Sequence, residues 1–280
     1  MKSVYEMVTN RIIEQLEKGV IPWHKPWTGT INGAYNRISN KSYSLLNQML
    51  LKHAGEYATF KQWDNLGGHI KRGAKSEIVV FWKIQQVEEI QEDGTKEVKN
   101  ISLLRYYNVF HISQVEGVEP RNKNDLTENE PIAAAENIKD NYKARENIEI
   151  IETILDRAYY SPAGDYIKIP AKEQYKDIEE FYSTLFHEMI HSTGHKTRLN
   201  RLDTENKAMF GNEVYSKEEL VAELGSAMLL NMLNIETSKT FKNSAAYIQN
   251  WLQVLKNDSR FIVSASSKAE KAVNYILSEA

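Results

Sequence analysis

The chain has 280 residues, a net charge of −3, an apolar fraction of 41% and no cysteine. The lack of cysteine excludes a disulfide framework and cysteine-ligated zinc, and there is no run of about 18 apolar residues that would predict a membrane span. Near the N-terminus, charged and aromatic residues stand where a signal peptide would be apolar, which favours a cytoplasmic protein without a membrane partner.

Charge and tryptophan are distributed unevenly along the chain. Residues 1–83 contain twelve Lys and Arg against six Asp and Glu, a balance of +6, whereas residues 84–280 contain 23 against 32, a balance of −9. Four of the five tryptophans also lie in the first 83 residues: Trp23, Trp27, Trp63 and Trp82. We therefore expect two parts with different functions.

The apolar spacing of the N-terminal part predicts three helices and a hairpin of two strands. The ranges are 3–18, 42–54 and 59–66 for the helices, and 75–84 and 103–112 for the strands. Ser3 and Glu6 fit a capping box at the start of the first helix. Asp93-Gly94 is expected in the tip of the hairpin.

Residues 116–132 are polar, contain prolines and lack an apolar period, which predicts a linker between domains at 1–115 and 133–280. The second domain is predicted to mix helices with short strands around a turn at 162–165. Its helices are expected at 133–145, 175–194, 216–233, 242–256 and 266–278, with a strand at 148–151 and a hairpin over 158–170. The expected fold class is α+β with two domains.

His187-Glu-Met-Ile-His191 is an HExxH sequence in a predicted helix. Positions i and i+4 share a helix face, so both imidazoles can bind one metal ion. Glu188 can then take a proton from a water molecule that the metal activates. The flanking residues are apolar enough to bury this helix, which fits a metal site better than two surface histidines.

A catalytic zinc ion generally has three protein ligands and one open position, so a third ligand is needed. His195 lies one turn after His191, but Gly194 is expected to end or bend the helix. Asp203 is possible from the following loop. Glu219 is the strongest candidate, because it lies in an apolar helix where a buried carboxylate needs a cation or a donor.

Glu223 lies one turn after Glu219 and is expected to accept a hydrogen bond from the N–H group of a ligand histidine. In the alternative, both glutamates form ion pairs with nearby cations: Arg198, Arg201 or Lys217.

Two further features concern a bound peptide. Tyr166–Ile169 could form a sheet edge that holds an extended substrate, or only an edge strand of the core. Tyr215 or His195 is a candidate for stabilising an oxyanion.

The basic N-terminal part interleaves aromatic rings with cations, as single-strand binding requires: ring faces for the bases and positive charge for the phosphates. The candidates are Trp23, Lys25, Trp27, Arg37, Lys41, Tyr43, Lys61, Trp63, Lys71, Arg72 and Lys75. In the alternative, the tryptophans belong to the hydrophobic core, and a balance of +6 is modest.

Several segments together resemble the ArdC-type antirestriction proteins of conjugative plasmids and integrative elements. The N-terminal ones include Gly19-Val-Ile-Pro-Trp-His-Lys-Pro-Trp27, Asn36-Arg-Ile-Ser-Asn-Lys-Ser-Tyr43 and Thr59-Phe-Lys-Gln-Trp63. The C-terminal ones are Tyr159–Pro170, His187–Arg201 and Glu218–Gly225. The resemblance covers nearly the whole chain and is loose only over about 85–135.

This resemblance implies an N-terminal domain that binds single-stranded DNA and a zincin-like metallopeptidase domain of the gluzincin type, with an HExxH helix and a glutamate helix. It implies Zn²⁺ on His187, His191 and Glu219, with Glu188 as the catalytic glutamate. The implied role is protection of incoming single-stranded DNA from host restriction. A DNA-binding protection factor with a non-catalytic zinc scaffold is the alternative, and the sequence names no protein substrate.

Overall fold

The computed structural model describes residues 3–24, 33–90, 96–121, 131–202, 213–235 and 245–278. Helices and strands mix in these residues, and the predicted α+β class is confirmed. The helices are α1 (Val4–Glu17), α2 (Leu45–Leu50), α3 (Phe60–Asn65), α4 (Pro131–Glu146), α5 (Ile178–Ser192), α6 (Glu213–Met232), α7 (Ala245–Asn257) and α8 (Phe261–Leu277). The strands are β1 (Ala34–Asn36), β2 (Gly55–Ala58), β3 (His69–Ile70), β4 (Glu77–Ile90), β5 (Lys96–His111), β6 (Val115–Glu116), β7 (Glu149–Thr153), β8 (Tyr159–Ser161) and β9 (Tyr166–Pro170). In this part of the chain, no helix combines the length and apolar character that crossing a bilayer requires.

Helix α1 begins at the predicted capping box. The Ser3 backbone N–H donates to the Glu6 carboxylate at 2.6 Å, and the Glu6 N–H donates to Ser3 Oγ at 3.2 Å. Gly19 follows the helix with a φ of 73°, a left-handed conformation that glycine adopts at little cost. Local sequence therefore determines both ends of α1.

Strands β4 and β5 form a long antiparallel hairpin, paired from Glu77 with Val109 to Ile90 with Lys96. The predicted hairpin is confirmed, but both strands extend farther toward the tip than expected. Residues 85–87, beyond the predicted end of the first strand, are exposed and carry no clear apolar alternation, so the pattern there gives no strand signal. The tip with Asp93-Gly94 lies outside the described residues.

Strands β7, β9 and β8 form a separate sheet in that order. β9 pairs in parallel with β7 through Glu149 and Tyr166, and antiparallel with β8 through Tyr160 and Ile167. The expectation that Tyr166–Ile169 forms a sheet edge is therefore wrong, because β8 pairs along one side of β9 and β7 pairs along the other. The edges of this sheet are β7 and β8.

One hydrophobic core joins the two ends of the chain. It contains side chains of α1 and α2 together with side chains of α5, α6 and α8, among them Ile12, Met49, Phe186, Leu224 and Val273. Helix α1 packs on α7 and α8, and α2 packs on α8, which in turn packs on the two helices that carry the HExxH sequence and Glu219.

Polar contacts reinforce this packing. The Thr9 hydroxyl donates to the Ser259 carbonyl at 2.7 Å, and Lys256 pairs with Glu17 at 2.8 Å. A domain boundary within 116–132 stays a prediction, and residues 122–130 lie outside the described part.

Candidate metal centre

Helix α5 places the two histidines of the HExxH sequence. Its apolar side chains Phe181, Leu185 and Phe186 are buried in the core, so the helix cannot turn about its axis without exposing them. His187 and His191 are four residues apart and lie on the same face, with ring centroids 4.8 Å apart.

Helix α6 brings Glu219 to that face. The two helices pack closely at Gly225, where a Cβ atom would lie 2.6 Å from Ile190 Cδ1. A larger residue at 225 would push the helices apart, so this glycine controls how near Glu219 comes to the histidines. The sequence alone does not identify this role.

Three side chains form a triangle of donor atoms. The Nε2 atoms of His187 and His191 are 3.1 Å apart, and the Glu219 carboxylate oxygens lie 3.3 Å from His191 Nε2 and 3.4 Å from His187 Nε2. Neighbouring ligands of a tetrahedral zinc ion, each bound at about 2.0–2.1 Å, are about 3.3 Å apart. Within the described ranges, this is the one group of three His, Cys, Asp or Glu side chains with ligand atoms this close together. The donors fit a divalent metal ion.

Each of the two histidines has a carboxylate near its other ring nitrogen. His187 Nδ1 lies 3.8 Å from Glu223 Oε2, and His191 Nδ1 lies 3.8 Å from Glu218 Oε1. Both separations exceed hydrogen-bond length, so these are electrostatic contacts. Glu223 lies where the sequence predicts an acceptor, whereas Glu218 is not predicted.

Arg201 holds Glu218 in place. Its Nη2 atom donates to Glu218 Oε1 at 2.8 Å and to the Ile190 carbonyl at 2.8 Å. Arg201 was an alternative partner for Glu219 or Glu223, but the structure pairs it with the neighbouring glutamate. Adjacent helical residues diverge by about 100°, so the sequence gives no reason to expect both Glu218 and Glu219 at one site.

The buried charges alter proton binding in the metal-free protein. Burial lowers the pKa of His191, but the carboxylates of Glu218 and Glu219 outweigh burial and raise this pKa to about 10. Burial raises the pKa of Glu219, while His187 and His191 outweigh it and hold that pKa well below its ordinary value. A metal ion must therefore displace a proton from His191 at neutral pH.

The other predicted site residues have different positions. Glu188 is buried, and its charge contributes to the raised pKa of His191, so it lies close to the site. His195 is buried in the turn after α5, where its Nδ1 atom contacts Thr197 Oγ1 at 2.8 Å. It is not part of the donor triangle. Asp203 and the side chain of Tyr215 lie outside the described part.

Arg198 fixes the loop that follows α5. Its side chain is 1% exposed. It donates to the two carboxylate oxygens of Asp165 at 2.8 Å each, to Glu146 at 2.9 Å and to the Ser192 carbonyl at 2.9 Å. These bonds connect the end of α5 to the β8–β9 turn and to α4. Arg198 therefore supports the metal helix instead of pairing with Glu219.

The structure corrects two of the DNA-binding candidates. Trp23 and Trp63 are both 0% exposed, and Trp63 Nε1 donates to the Phe110 carbonyl at 2.9 Å. Neither ring can stack on a base in this fold, so their prediction as DNA contacts is wrong. Both tryptophans belong to the hydrophobic core.

The remaining candidates differ in accessibility. Arg37 is largely buried and pairs with Glu56. Lys25 and Trp27 lie outside the described residues. The lysines and the arginine that are exposed are Lys41, Lys61, Lys71, Arg72 and Lys75.

Tyr43 lies in a groove of about 520 Å³ on one face of the β4–β5 hairpin. Phe81 and Tyr107 also line it, and their rings stack with centroids 4.7 Å apart and planes 4° apart. Tyr107 is among the most exposed aromatic residues of the described chain. The sequence does not reveal this pair, because the register between the two strands decides it.

An HExxH helix that faces a glutamate helix defines the zincin-like class of metalloproteins, and the family model of a zincin-like metallopeptidase matches residues 135–268. The family model of the N-terminal domain of the anti-restriction factor ArdC matches residues 2–110. The crystal structure of the antirestriction ArdC protein from plasmid R388 is 32% identical and covers 98% of this chain and 97% of that chain, with TM-scores of 0.73 for its metal-free form and 0.75 for its Mn(II)-bound form. The chain belongs to the ArdC family of antirestriction proteins.

Two relatives show how this unit occurs elsewhere. The uncharacterized protein y4eC of Sinorhizobium fredii is 32% identical over 98% of this chain and 91% of its own length. The DNA primase TraC of Escherichia coli is 31% identical over 99% of this chain, but the chain spans only 27% of that primase. The family implies interaction with DNA, and the manganese-bound relative agrees with a divalent metal at the donor triangle.

Proposed function

We propose that this chain is an antirestriction protein of a mobile genetic element that binds single-stranded DNA and hydrolyses peptide bonds with Zn²⁺. The observation that carries the enzymatic part is the donor triangle of His187, His191 and Glu219. The two Nε2 atoms are 3.1 Å apart, and the Glu219 oxygens Oε1 and Oε2 lie 3.3 Å from His191 Nε2 and 3.4 Å from His187 Nε2 respectively. Structural zinc sites generally have four protein ligands, whereas catalytic sites have three and an open position. The described residues offer three.

The proposed chemistry assigns a role to each residue of the site. His187, His191 and Glu219 would hold Zn²⁺, which when bound polarises a carbonyl and lowers the pKa of water. Glu188 accepts the proton of the attacking water and passes it to the leaving amine. Glu223 and Glu218 favour the ring orientation in which Nε2 of each histidine faces the metal.

The Glu188→Gln variant tests this assignment. The amide has nearly the shape of the carboxylate but cannot accept the proton, so peptide hydrolysis should fall about 100- to 10,000-fold. Zinc content should stay stoichiometric, because Glu188 is not a proposed ligand. The measurement is cleavage of a fluorogenic peptide library by the zinc-loaded protein, with metal analysis of the same preparation.

Antirestriction activity separates this proposal from its rival, in which the zinc domain is a non-catalytic scaffold. The control is Glu180→Gln, a matched change near the start of α5. Absence of hydrolysis by the zinc-loaded wild type, together with full antirestriction activity of Glu188→Gln, would contradict the peptidase proposal and support the scaffold.

The groove of Tyr43, Phe81 and Tyr107 supports the single-strand part of the proposal. Base stacking needs exposed ring faces, and unpaired bases offer theirs while paired bases do not. Lys61 and Lys41 lie on elements adjacent to this groove, α3 and the β1–α2 connection, and both are exposed. Together, these residues offer the rings and the positive charge that a single strand needs.

The 280-residue chain should bind a single-stranded oligonucleotide at least about tenfold more tightly than the matching duplex. Affinity should weaken as salt increases, with a slope of about 0.7 in log affinity against log salt for each phosphate contact. Fluorescence anisotropy with labelled oligonucleotides measures both quantities. Equal affinity for the duplex, or no binding, contradicts single-strand recognition.

A further inference from the structure

A second groove, of about 650 Å³, lies where the N-terminal hairpin meets the C-terminal helices. One side comes from α1 and β4, and the other comes from α6 and α8. Its positively charged lining residues and its partly or largely exposed aromatic ones are Tyr5, Trp82, Lys217, Arg260, Lys268 and Lys271, and the buried Phe261 forms part of its floor. The groove thus combines residues from both family-model domains, and Lys217 lies two positions before Glu219 on α6.

Trp82 presents an indole ring to this groove. It is 51% exposed, whereas Trp23, Trp63 and Trp251 are nearly or fully buried. The ring packs edge-on against Tyr5, with centroids 6.3 Å apart and an interplanar angle of 60°. Tyr5 therefore orients the indole, and half of a large apolar ring stays available to a ligand.

The opposite side of the groove is positively charged. Arg260, Lys268 and Lys271 are all exposed, and the guanidinium of Arg260 lies 5.3 Å from the Tyr5 ring centre. Asp258 is the one acidic residue among those that line the groove, and it lies 3.8 Å from Lys217. The lining charge is thus strongly positive, in a chain whose net charge is −3.

Helix α8 spaces its polar groups along one face. Ser264, Ser267, Lys268 and Lys271 recur every three or four residues and are exposed, so they form a single stripe. Arg260, at the N-terminal end of α8, extends this row of polar groups, and from Arg260 to Lys271 the row is about 16 Å long, enough for several consecutive phosphates. Lysines, arginines and hydroxyl groups are the usual phosphate contacts of nucleic-acid-binding proteins.

We propose that this groove binds a segment of single-stranded nucleic acid, with a base stacked on Trp82 and phosphates on Arg260, Lys268 and Lys271. The inference rests on the proposed DNA-binding function and extends the binding surface onto the metallopeptidase-like domain. A single strand fits better than a duplex because stacking on Trp82 needs an unpaired base. An acidic peptide would match the charge but would not use the exposed indole in this way.

The first test is charge reversal on α8 in the 280-residue chain. The Lys268→Glu/Lys271→Glu double variant should bind an oligothymidine at least about tenfold more weakly, and its salt slope should fall by about 1.4 for two lost phosphate contacts. The matched control, Lys143→Glu/Lys176→Glu, changes two exposed lysines that do not line the groove. This control changes the net charge by the same amount but removes no lysine from the groove. Because charges far from the bound strand are screened by salt, its affinity should stay within about twofold of the wild type.

The second test uses the fluorescence of Trp82. Oligothymidine should quench the tryptophan emission of the wild type, and the Trp82→Phe variant should lose most of that quenching while it keeps a ring for stacking. Trp82→Ala should lose affinity about tenfold as well. Thermal unfolding of both variants checks that the fold is intact.

The outcomes distinguish this inference from the function on which it rests. If Lys268→Glu/Lys271→Glu and Trp82→Ala bind the oligonucleotide as tightly as the wild type does, the groove inference is wrong and the proposed function stands. A simultaneous loss of binding in Tyr107→Ala would then place the strand on the other groove. If the wild type binds no oligonucleotide, both fail. Binding of polyglutamate that Lys268→Glu/Lys271→Glu abolishes, with oligonucleotide binding unchanged, would reassign the groove to acidic peptides.

Discussion

The Glu219→Ala variant should lose stoichiometric metal. Glu219 supplies one of three donors in the triangle, and the two histidines that remain offer too few ligands for a tightly held zinc ion. The apparent affinity should fall more than about 100-fold, beyond the 10- to 100-fold that residues outside the ligand set typically contribute. Metal analysis after dialysis and competition with a chromogenic chelator measure the loss.

The matched control is Glu223→Gln, which changes a carboxylate one helical turn away on α6. Glu223 Oε2 lies 3.8 Å from His187 Nδ1, the ring nitrogen that is not a proposed metal ligand. Metal should therefore remain at full occupancy in Glu223→Gln, with an affinity reduced by about 10- to 100-fold. Equal metal content in wild type and Glu219→Ala would contradict the proposed ligand set.

The same site makes metal binding depend on pH. The raised pKa of His191, about 10, means that the metal-free ring stays protonated through neutral pH, and a metal ion must displace that proton. Apparent affinity should therefore rise with pH by about tenfold per unit, for one proton released, up to the pKa of His191. Competition with the chromogenic chelator, repeated below and above pH 7, measures how the apparent metal affinity changes per pH unit.

The Arg198→Met variant should be destabilised by about 3 kcal/mol, the lower end of the cost of breaking a buried pair. Methionine fills a similar volume but leaves the carboxylates of Asp165 and Glu146 without their shared donor. The expected loss of unfolding free energy is at the lower end because the Asp165 side chain is nearly one-third exposed, so water can solvate its carboxylate when Arg198 is removed. Urea denaturation of the metal-free protein measures the free energy of unfolding.

Two further variants define what Arg198 contributes. Arg198→Lys keeps the charge but cannot form the forked pair with Asp165, so it should recover only part of the lost stability. Arg157→Met changes an exposed arginine and should alter stability by less than about 0.5 kcal/mol. A loss below 1 kcal/mol for Arg198→Met would mean that the α5 loop is held mainly by its apolar contacts.

Local pattern was enough to predict the three side chains that the structure brings together at the candidate metal centre. His187 and His191 follow from a spacing of four on an apolar helix, and Glu219 follows from the cost of burying a carboxylate among apolar neighbours. Both arguments concern a single helix, and the spacing of side chains along a helix is fixed by its geometry.

Features that depend on how elements meet were missed. Glu218 and Arg201 reach the site because α6 crosses α5 at Gly225, and no spacing along either helix reveals that crossing. Strand β9 is the middle strand because β7 pairs with it as well as β8, and the residues of Tyr166–Ile169 do not reveal that second pairing. Trp23 was assigned to the surface because composition cannot distinguish a tryptophan that stacks on a base from one that fills a core.

The hydrophobic core that both ends of the chain share limits how far the two parts can be separated or exchanged. Because Ile12 and Met49 belong to the same buried cluster as Phe186, Leu224 and Val273, we expect the two pieces left by cutting the peptide backbone between residues 121 and 131 to stay associated. A half exchanged for that of a distant relative should lower the free energy of unfolding wherever its buried side chains no longer match those of the other half. The parts that the two family models match therefore share buried apolar surface, and we expect a change in the core of one part to alter the stability of the other.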